Sequence, residues 1–453
     1  MRFVVAGGGV AGLSAALALA RAGHEAVVLE RDAVEPSDSP GTAFAAPRHG
    51  IPHFFQPHAF LPRGRRELQR LAPDVLQALL DAGADPQHVG EKLQGPGQPG
   101  DDELVWLWVR RPVIEWALRR AAAAETGVEL RAGTNVAALL QDDDGAAVGV
   151  GVAGGDAVRG DVVVDALGRY RAPPGWPRSH AEPEDSGAIY YCRYFQLADG
   201  QQHMDAPFLN PRGDLGYMGF NTFRGDNRTF AVILLAPSAD RSLRILREQA
   251  AWEAACAAIR PLDAMTSLDY GRPITDVMPM GGLMNVNRTD DPGVARLVRV
   301  GDAFCHTDPA FAYGLSFSLS HAAALAEAAE SGPTALAERY RELTAAEAGE
   351  RYDLVCETDA ARAARWKGEP LDIGRRDGCY PLFAFAAALA AAPHDDHVLR
   401  RTARRMGLLD RTSVFDDDAE LHRRIEDIFA TLMKDPPPPP GPPREELLAM
   451  LPA

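Results

Sequence analysis

Apolar positions near the N-terminus follow three patterns in succession. Phe3-Val4-Val5-Ala6 is an unbroken apolar run, the pattern of a strand buried on both faces. From Leu13 to Arg21 alanines and leucines recur at helical spacing, and Ala26 to Leu29 is a second apolar run ending at Glu30. Between the first run and the helix stands Gly7-Gly8-Gly9-Val10-Ala11-Gly12. The order is strand, glycine turn, helix, strand, acid.

Further along, residues 32–65 are a long loop rich in Pro, Gly and His, followed by a helix from Arg65 to Ala72. Leu104-Val-Trp-Leu-Trp-Val109 alternates like a strand, with Trp106 and Trp108 as core residues or, alternatively, pocket residues. Residues 127–164 give short strands around a turn at Asp142-Asp-Asp-Gly145. Strands are predicted at Ala188–Phe195, Gly216–Phe220 and Thr229–Leu235, and a helix from Arg244 to Ile259. Residues 318–434 read as mostly helical, alanine-rich with Arg and Glu on alternating faces. Pro436 to Pro440 and Pro442-Pro443 then form a polyproline strap, a spacer that docks the last helix.

The glycine turn carries chemistry because of where it sits. Glycines let the backbone turn tightly and approach a pyrophosphate, and the helix N-terminus offers unpaired N–H groups to it. Glu30, at the end of the second strand, is placed to accept hydrogen bonds from a ribose. This is a dinucleotide site, and the motif alone does not say which dinucleotide.

That choice is made near residue 300. Ala295-Arg-Leu-Val-Arg-Val300 leads into Gly301-Asp302-Ala303, then Pro309 and Gly314, then an apolar helix from Leu315. Arg110-Arg111-Pro-Val-Ile-Glu115 opens an amphipathic helix, and Asp161-Val-Val-Val-Asp165-Ala-Leu-Gly168-Arg169 is a buried strand with an aspartate turn. In this order the motifs resemble the FAD-binding oxidoreductases of the aromatic-hydroxylase and flavin-halogenase superfamily. The strict hydroxylase form has adjacent Asp and Gly followed by serine. Here Ala166-Leu167 intervene and Arg171 stands at the serine position. A simple transfer of the hydroxylase NADPH site is therefore not made.

The resemblance implies an α/β fold. A glutathione-reductase-type, Rossmann-like FAD domain would be formed by residues 1–180 and 285–330, with a smaller mixed-sheet substrate domain at 181–284 and a C-terminal helical region at 331–453. It places cofactor contacts at Gly7, Gly9, Val10, Ala11, Gly12, Glu30, Arg31, Arg48, Arg111, Val136, Asp165, Gly301, Asp302, Pro309, Gly314 and Leu315. Asp302 takes the place of the aspartate that bonds the ribityl chain. Pro309, Phe311 and Gly314 are the flavin-adjacent candidates, and no catalytic side chain is assigned. In the substrate domain Tyr191, Arg193, Tyr217, Met218 and Asn221 are candidates to face the flavin.

Composition narrows the partners. The chain has 453 residues and a formal charge of −16, against a nucleic-acid partner, which needs clustered Lys and Arg, and against an anionic membrane surface. Five cysteines, Cys192, Cys256, Cys305, Cys356 and Cys379, show no CxxC spacing and read as reduced, so a cytoplasmic chain is expected. Met1-Arg-Phe-Val runs directly into the first strand and leaves no room for a signal peptide. His49, His53 and His58 in the long loop invite a metal reading, but no carboxylates or cysteines stand at ligand spacing; contact of Arg48 or His58 with flavin or substrate is preferred, beside plain loop packing.

The favoured expectation is a monooxygenase of secondary metabolism. Reduced flavin and O₂ would oxygenate an aromatic or alkene small molecule, with NAD(P)H or an external flavin reductase as the electron source. The first rival is a flavin-dependent halogenase, because Thr307-Asp308-Pro309-Ala310-Phe311 is close to the halogenase form. Halogenases also need a relay lysine and a Trp-x-Trp-x-Ile-Pro motif. The lysines here are Lys92, Lys367 and Lys434, and Trp106-Leu-Trp108-Val is followed by Arg-Arg. A flavin dehydrogenase or reductase is the second rival.

Overall fold

The computed structural model describes every residue except 35–36, 46–47, 170–172, 178–181, 370–385 and 453. Its central strand is β1 (Arg2–Ala6), flanked on one side by β2 (Glu25–Leu29) and then Val128–Arg131. On the other side lie Val162–Asp165 and then Leu297–Arg299, all parallel. Both faces of β1 are covered, which explains its unbroken apolar run. Phe3 and Val5 pack against Ala15, Leu19 and Leu325 of flanking helices, including α1 (Val10–Arg21). Val4 and Ala6 pack on Val136, Leu139 and Val150 of a small antiparallel ribbon. The carboxyl ends of the parallel strands thus meet at one edge, where ligands bind in open α/β sheets.

A second, antiparallel sheet runs in the order Arg212–Asp214, Gly219–Arg224, Thr229–Pro237, Ala188–Leu197, Gly271–Pro273, with Met278–Met280 also paired to Ala188–Leu197. Two local expectations change here. Gly216 adopts φ 85° in a turn, so the strand expected at 216–220 starts at Gly219. The helix expected from 244 to 259 is broken at Glu248, whose extended backbone separates a 3₁₀ segment Ser242–Arg247 from the helix Gln249–Ala257.

Trp106 and Trp108 are buried in the core between this sheet and the C-terminal helices, and the Trp108 indole N–H donates to Gln87 Oε1 at 2.9 Å. The helix Tyr313–Ala329 crosses α1, and a 35-residue helix, Gly332–Trp366, follows it. The proline strap is docked: Arg260 N donates to Pro440 O at 2.7 Å and Tyr217 Oη to Pro442 O at 2.9 Å. Leu447 of the last helix, Arg444–Met450, is fully buried beside the antiparallel sheet. Among the described residues no helix is long and apolar enough to cross a membrane, and no group of three or more potential ligand residues is poised to hold a metal. Cys192, Cys256, Cys305 and Cys356 are free thiols; Cys379 and Arg171 lie outside the described residues.

Candidate active site: a cleft between the parallel and antiparallel sheets

At the carboxyl edge of the parallel sheet an open cleft of about 1260 Å³ of empty space, its mouth included, runs toward the antiparallel sheet. One end is lined by Gly9, Val10, Ala11, Arg111, Ala166, Arg169 and Asp302; the other by Asn221, Phe223, Ile233, Leu235 and Met280. Tyr190, Asp308, Pro309, Gly314 and Leu315 also line it.

The glycine turn is shaped by close approaches. Gly7 sits at φ 111°, a backbone conformation L side chains rarely adopt, and a Cβ on Gly8 would meet the Glu30 Cβ at 2.8 Å. A Cβ on Gly9 would find nothing nearer than Arg111 Nη2 at 3.8 Å, so Gly9 opens on the cleft. The first bond of α1 closes from Leu13 N to Gly9 O at 3.0 Å, leaving the N–H groups of Val10, Ala11 and Gly12 without carbonyls ahead of them. That cradle of backbone donors beside an arginine fits a pyrophosphate.

Glu30 does not itself line the cleft and is held behind the glycine turn. Its Oε2 accepts from Gly8 N at 3.0 Å and from Arg48 Nη2 at 2.7 Å, and its Oε1 accepts from Asp32 N at 2.9 Å. Arg48 also bonds Asp32 at 3.0 Å and Glu115, and Glu115 accepts from Arg111 at 2.8 Å. One buried guanidinium therefore gathers three carboxylates. Arg48 lines a smaller neighbouring cavity with Ser37, Thr42 and Trp116 rather than the main cleft.

Asp302 lines the same end of the cleft as Arg111 and Arg169. His306 Nδ1 lies 3.3 Å from its Oδ2, and Arg169 lies 3.2 Å from His306 Nε2. Burial works against ionisation of Asp302, but His306 and Arg111 help hold the carboxyl well below its usual range. Arg111 Nη1 donates to His53 Nε2 at 2.8 Å, and His53 stacks on His58 with centroids 5.8 Å apart. Burial, then Arg111, pushes His58 down to about 3 and His53 well below its usual value, so both rings are neutral.

Several of the expected contact residues do not line the cleft. Asp165 turns away from the cleft: its carboxylate accepts from Leu167 N at 3.1 Å, and Ala166, Gly168 and Arg169 line the cleft in its place. Arg31 is exposed to solvent beside Gly50, and its neighbour Asp32 is the residue drawn inward. Val136 is part of the sheet core. Phe311 is not among the lining residues and packs on Tyr313, 5.5 Å between centroids. Gly7, Gly12 and Gly301 shape the turns without lining the cleft; Gly301 N donates to His321 Nδ1 at 3.0 Å.

In the antiparallel sheet Tyr191, Tyr217 and Met218 face away, into a core with Trp252, and Arg193 pairs with Glu253 at 2.6 Å. Of the five candidates there, Asn221 alone lines the cleft. Tyr190, next to Tyr191, is the tyrosine that does. Strand neighbours point to opposite faces, and both faces of this strand are buried, so its pattern gives no parity.

One network was not anticipated. Tyr190 Oη donates to Asp308 Oδ1, Arg362 Nη2 donates to Asp308 Oδ2 at 2.8 Å, and Arg362 lies 2.9 Å from Asp359. Asn285 Nδ2 donates to Asp359 at 2.8 Å, and Asn285 Oδ1 accepts from Asp308 N at 2.6 Å. Burial and the Asp308 carboxylate push Asp359 up to about 8. Burial opposes ionisation of Asp308 as well, but Arg362 holds it below the usual range. The Thr307-Asp308-Pro309 triplet was the one signal in the sequence; Asp359 and Arg362 lie a helix away.

Comparison with known proteins follows the geometry. Residues 2–92 match the family described as FAD dependent oxidoreductase. Among curated proteins none matches the sequence. The fold is shared with PqsL of Pseudomonas aeruginosa, described as "a probable FAD-dependent monooxygenase", at 18% identity and TM-score 0.60 over 81% of this chain and 98% of that one. It is shared with the flavin-dependent brominase Bmp2 at 16% identity and TM-score 0.61, covering 94% of this chain and 100% of Bmp2. The myxobacterial chondrochloren halogenase CndH aligns at 17% identity and TM-score 0.60, over 96% of each chain. The family match is confined to this N-terminal segment, and the solved structures share the fold of nearly the whole chain. Its fold is common to FAD-dependent monooxygenases and flavin-dependent halogenases.

Proposed function

We propose that the protein is an FAD-dependent monooxygenase acting on an aromatic or alkene small molecule. The observation that carries this reading is the continuity of the cleft, from Gly9, Arg111 and Asp302 to the apolar wall of Phe223, Ile233, Leu235 and Met280. When bound and reduced, FAD with O₂ supplies an electrophilic oxygen. The chain's own residues do the rest. Val10 and Ala11 N–H groups with Arg111 would hold the pyrophosphate, Glu30 the ribose, and Asp302 the ribityl hydroxyls. The start of the helix Tyr313–Ala329 would offer backbone N–H groups, at Gly314 and Leu315, to negative charge on the reduced cofactor. The apolar wall excludes water from the reacting carbon.

A halogenase remains the second reading because of Thr307-Asp308-Pro309 and the shared fold. Two observations favour oxygenation. Lys92, the first-half lysine, is tied to Asp205 Oδ1 at 2.6 Å and Ala206 O at 2.5 Å and does not line the cleft. Asp308 is committed to Tyr190 and Arg362. Electrons come from NAD(P)H directly or from a separate flavin reductase. The test is anaerobic addition of NADPH to the flavin-loaded protein, then O₂, followed by absorbance. Bleaching and reoxidation with oxygenated product support the reading. Bromide-dependent product in place of oxygenated product overturns it.

A further inference from the structure

The substrate end of the cleft holds a polar anchor whose hydrogen-bond polarity is fixed. Tyr190 is 3% exposed, and its hydroxyl proton is given to Asp308. Asp308 is ionised and cannot give a proton back: Arg362 Nη2 at 2.8 Å and Ala310 N at 3.0 Å both donate to it. Tyr190 and Asp308 both line the cleft, and with its proton committed to Asp308 the Tyr190 oxygen between them has lone pairs only to offer a ligand.

Charge at this end is already balanced. Arg362 is shared among Asp308, Asp359 and the Ser186 carbonyl at 3.1 Å, so the network has no spare cation. The cations that line the cleft among the described residues, Arg111 and Arg169, belong to the cofactor end: Arg111 beside Gly9 and His53, Arg169 beside His306 and Asp302. The remaining wall at the substrate end is Asn221, Phe223, Ile233, Leu235 and Met280. A substrate carboxylate placed against Tyr190 would sit beside Asp308 without compensation, which burial penalises heavily.

We propose that Tyr190, oriented by Asp308, is a substrate-specificity residue that accepts a hydrogen bond from an uncharged, largely apolar substrate carrying an O–H or N–H donor, and that the site discriminates against anionic aromatics. The inference rests on the cleft being the substrate site of the proposed oxygenase. Its test reads binding and not turnover, so that the two fail separately.

Titrate the FAD-loaded protein by calorimetry with three probes of matched size: 2-naphthol, 2-methoxynaphthalene and 2-naphthoate. Wild type should bind the naphthol about tenfold more tightly than the ether, as expected for one buried neutral hydrogen bond, and the naphthoate most weakly. Tyr190→Phe should bring the naphthol and ether within about twofold of each other, because the acceptor is gone. Asp308→Asn frees the tyrosine proton and should improve binding of the ether, an acceptor, relative to the naphthol. The wild-type comparison stands even if either variant fails to fold. Equal binding of naphthol and ether by wild type, naphthoate as the tightest ligand, a naphthol preference that survives in Tyr190→Phe, or no binding of any probe would each overturn the proposal. Probe discrimination without any turnover would retire the oxygenase reading and leave the specificity inference standing.

Discussion

Arg110 grips Asp226 across the boundary between the two sheets: Nε lies 3.0 Å from Oδ1, Nη2 lies 2.6 Å from Oδ2, and the Arg110 backbone N–H adds a bond at 2.8 Å. Asp226 has no solvent exposure. The next residue, Arg111, starts the helix Arg111–Ala124 and faces the cofactor end of the cleft. Arg110 thus ties down the antiparallel sheet while its chain neighbour Arg111 lines the cleft, with Asn227 N adding a bond to Gly83 O at 2.8 Å across the same boundary.

Arg110→Ala leaves a buried carboxylate unpaired. Breaking such a pair costs about 3–5 kcal/mol, so a clear fall in unfolding free energy is expected in urea. Arg110→Ala combined with Asp226→Asn should be less destabilised than Arg110→Ala alone, because the uncompensated charge is removed. If the double variant is the weaker of the two, the pair is not the clamp described.

Asp302→Ala should weaken FAD binding. A charge-assisted hydrogen bond contributes about 1.5–3 kcal/mol, which corresponds to roughly ten- to hundredfold in affinity, read by flavin fluorescence titration. Unchanged affinity would mean that Asp302 does not touch the ribityl chain.

Lys92→Ala should leave kcat/KM within about twofold of wild type, since removing an exposed ion pair such as that with Asp205 shifts little beyond local stability. A relay lysine acts in the chemical step, so its loss would abolish product rather than weaken binding. Loss of all turnover in this variant would favour the halogenase.

Stability of the cofactor-free protein should peak near about pH 7. His53, His58 and His321 are held below the usual imidazole value, by burial first and then by Arg111, or Arg63 for His321. Their contribution is present above about pH 6.5 and is lost as pH falls, because the unfolded chain takes up the protons. Asp359, raised to about 8, acts in the opposite sense: its contribution is present in acid and is lost as pH rises toward that value. Denaturant titrations across this range should show both limbs, and Asp359→Asn should remove the decline on the alkaline side. A variant that keeps that decline would show that the proton is held elsewhere.

What the sequence reveals follows from how local each signal is. The glycine turn and Glu30 are legible because strand, turn and helix are contiguous, and Asp302 because its motif repeats that grammar. Asp165 is ambiguous because a strand-end aspartate serves equally as a cleft residue or as a brace of its own turn, and here it bonds Leu167 N. Tyr190 was missed for Tyr191 because both faces of that strand are buried. The Asp308–Arg362–Asp359 network brings a loop to a helix with no shared motif, and only the packed fold joins them.

The central claim is that this cleft transfers an oxygen atom from O₂ to a neutral organic substrate. The measurement that tests it most directly is a single turnover: flavin-loaded protein reduced without air, then mixed with ¹⁸O₂, bromide and a panel of neutral aromatic and alkene donors, with products read by mass spectrometry. The account expects product carrying one ¹⁸O atom and no bromine. Brominated product without ¹⁸O, or reoxidation of the flavin with no label in any product, would contradict it.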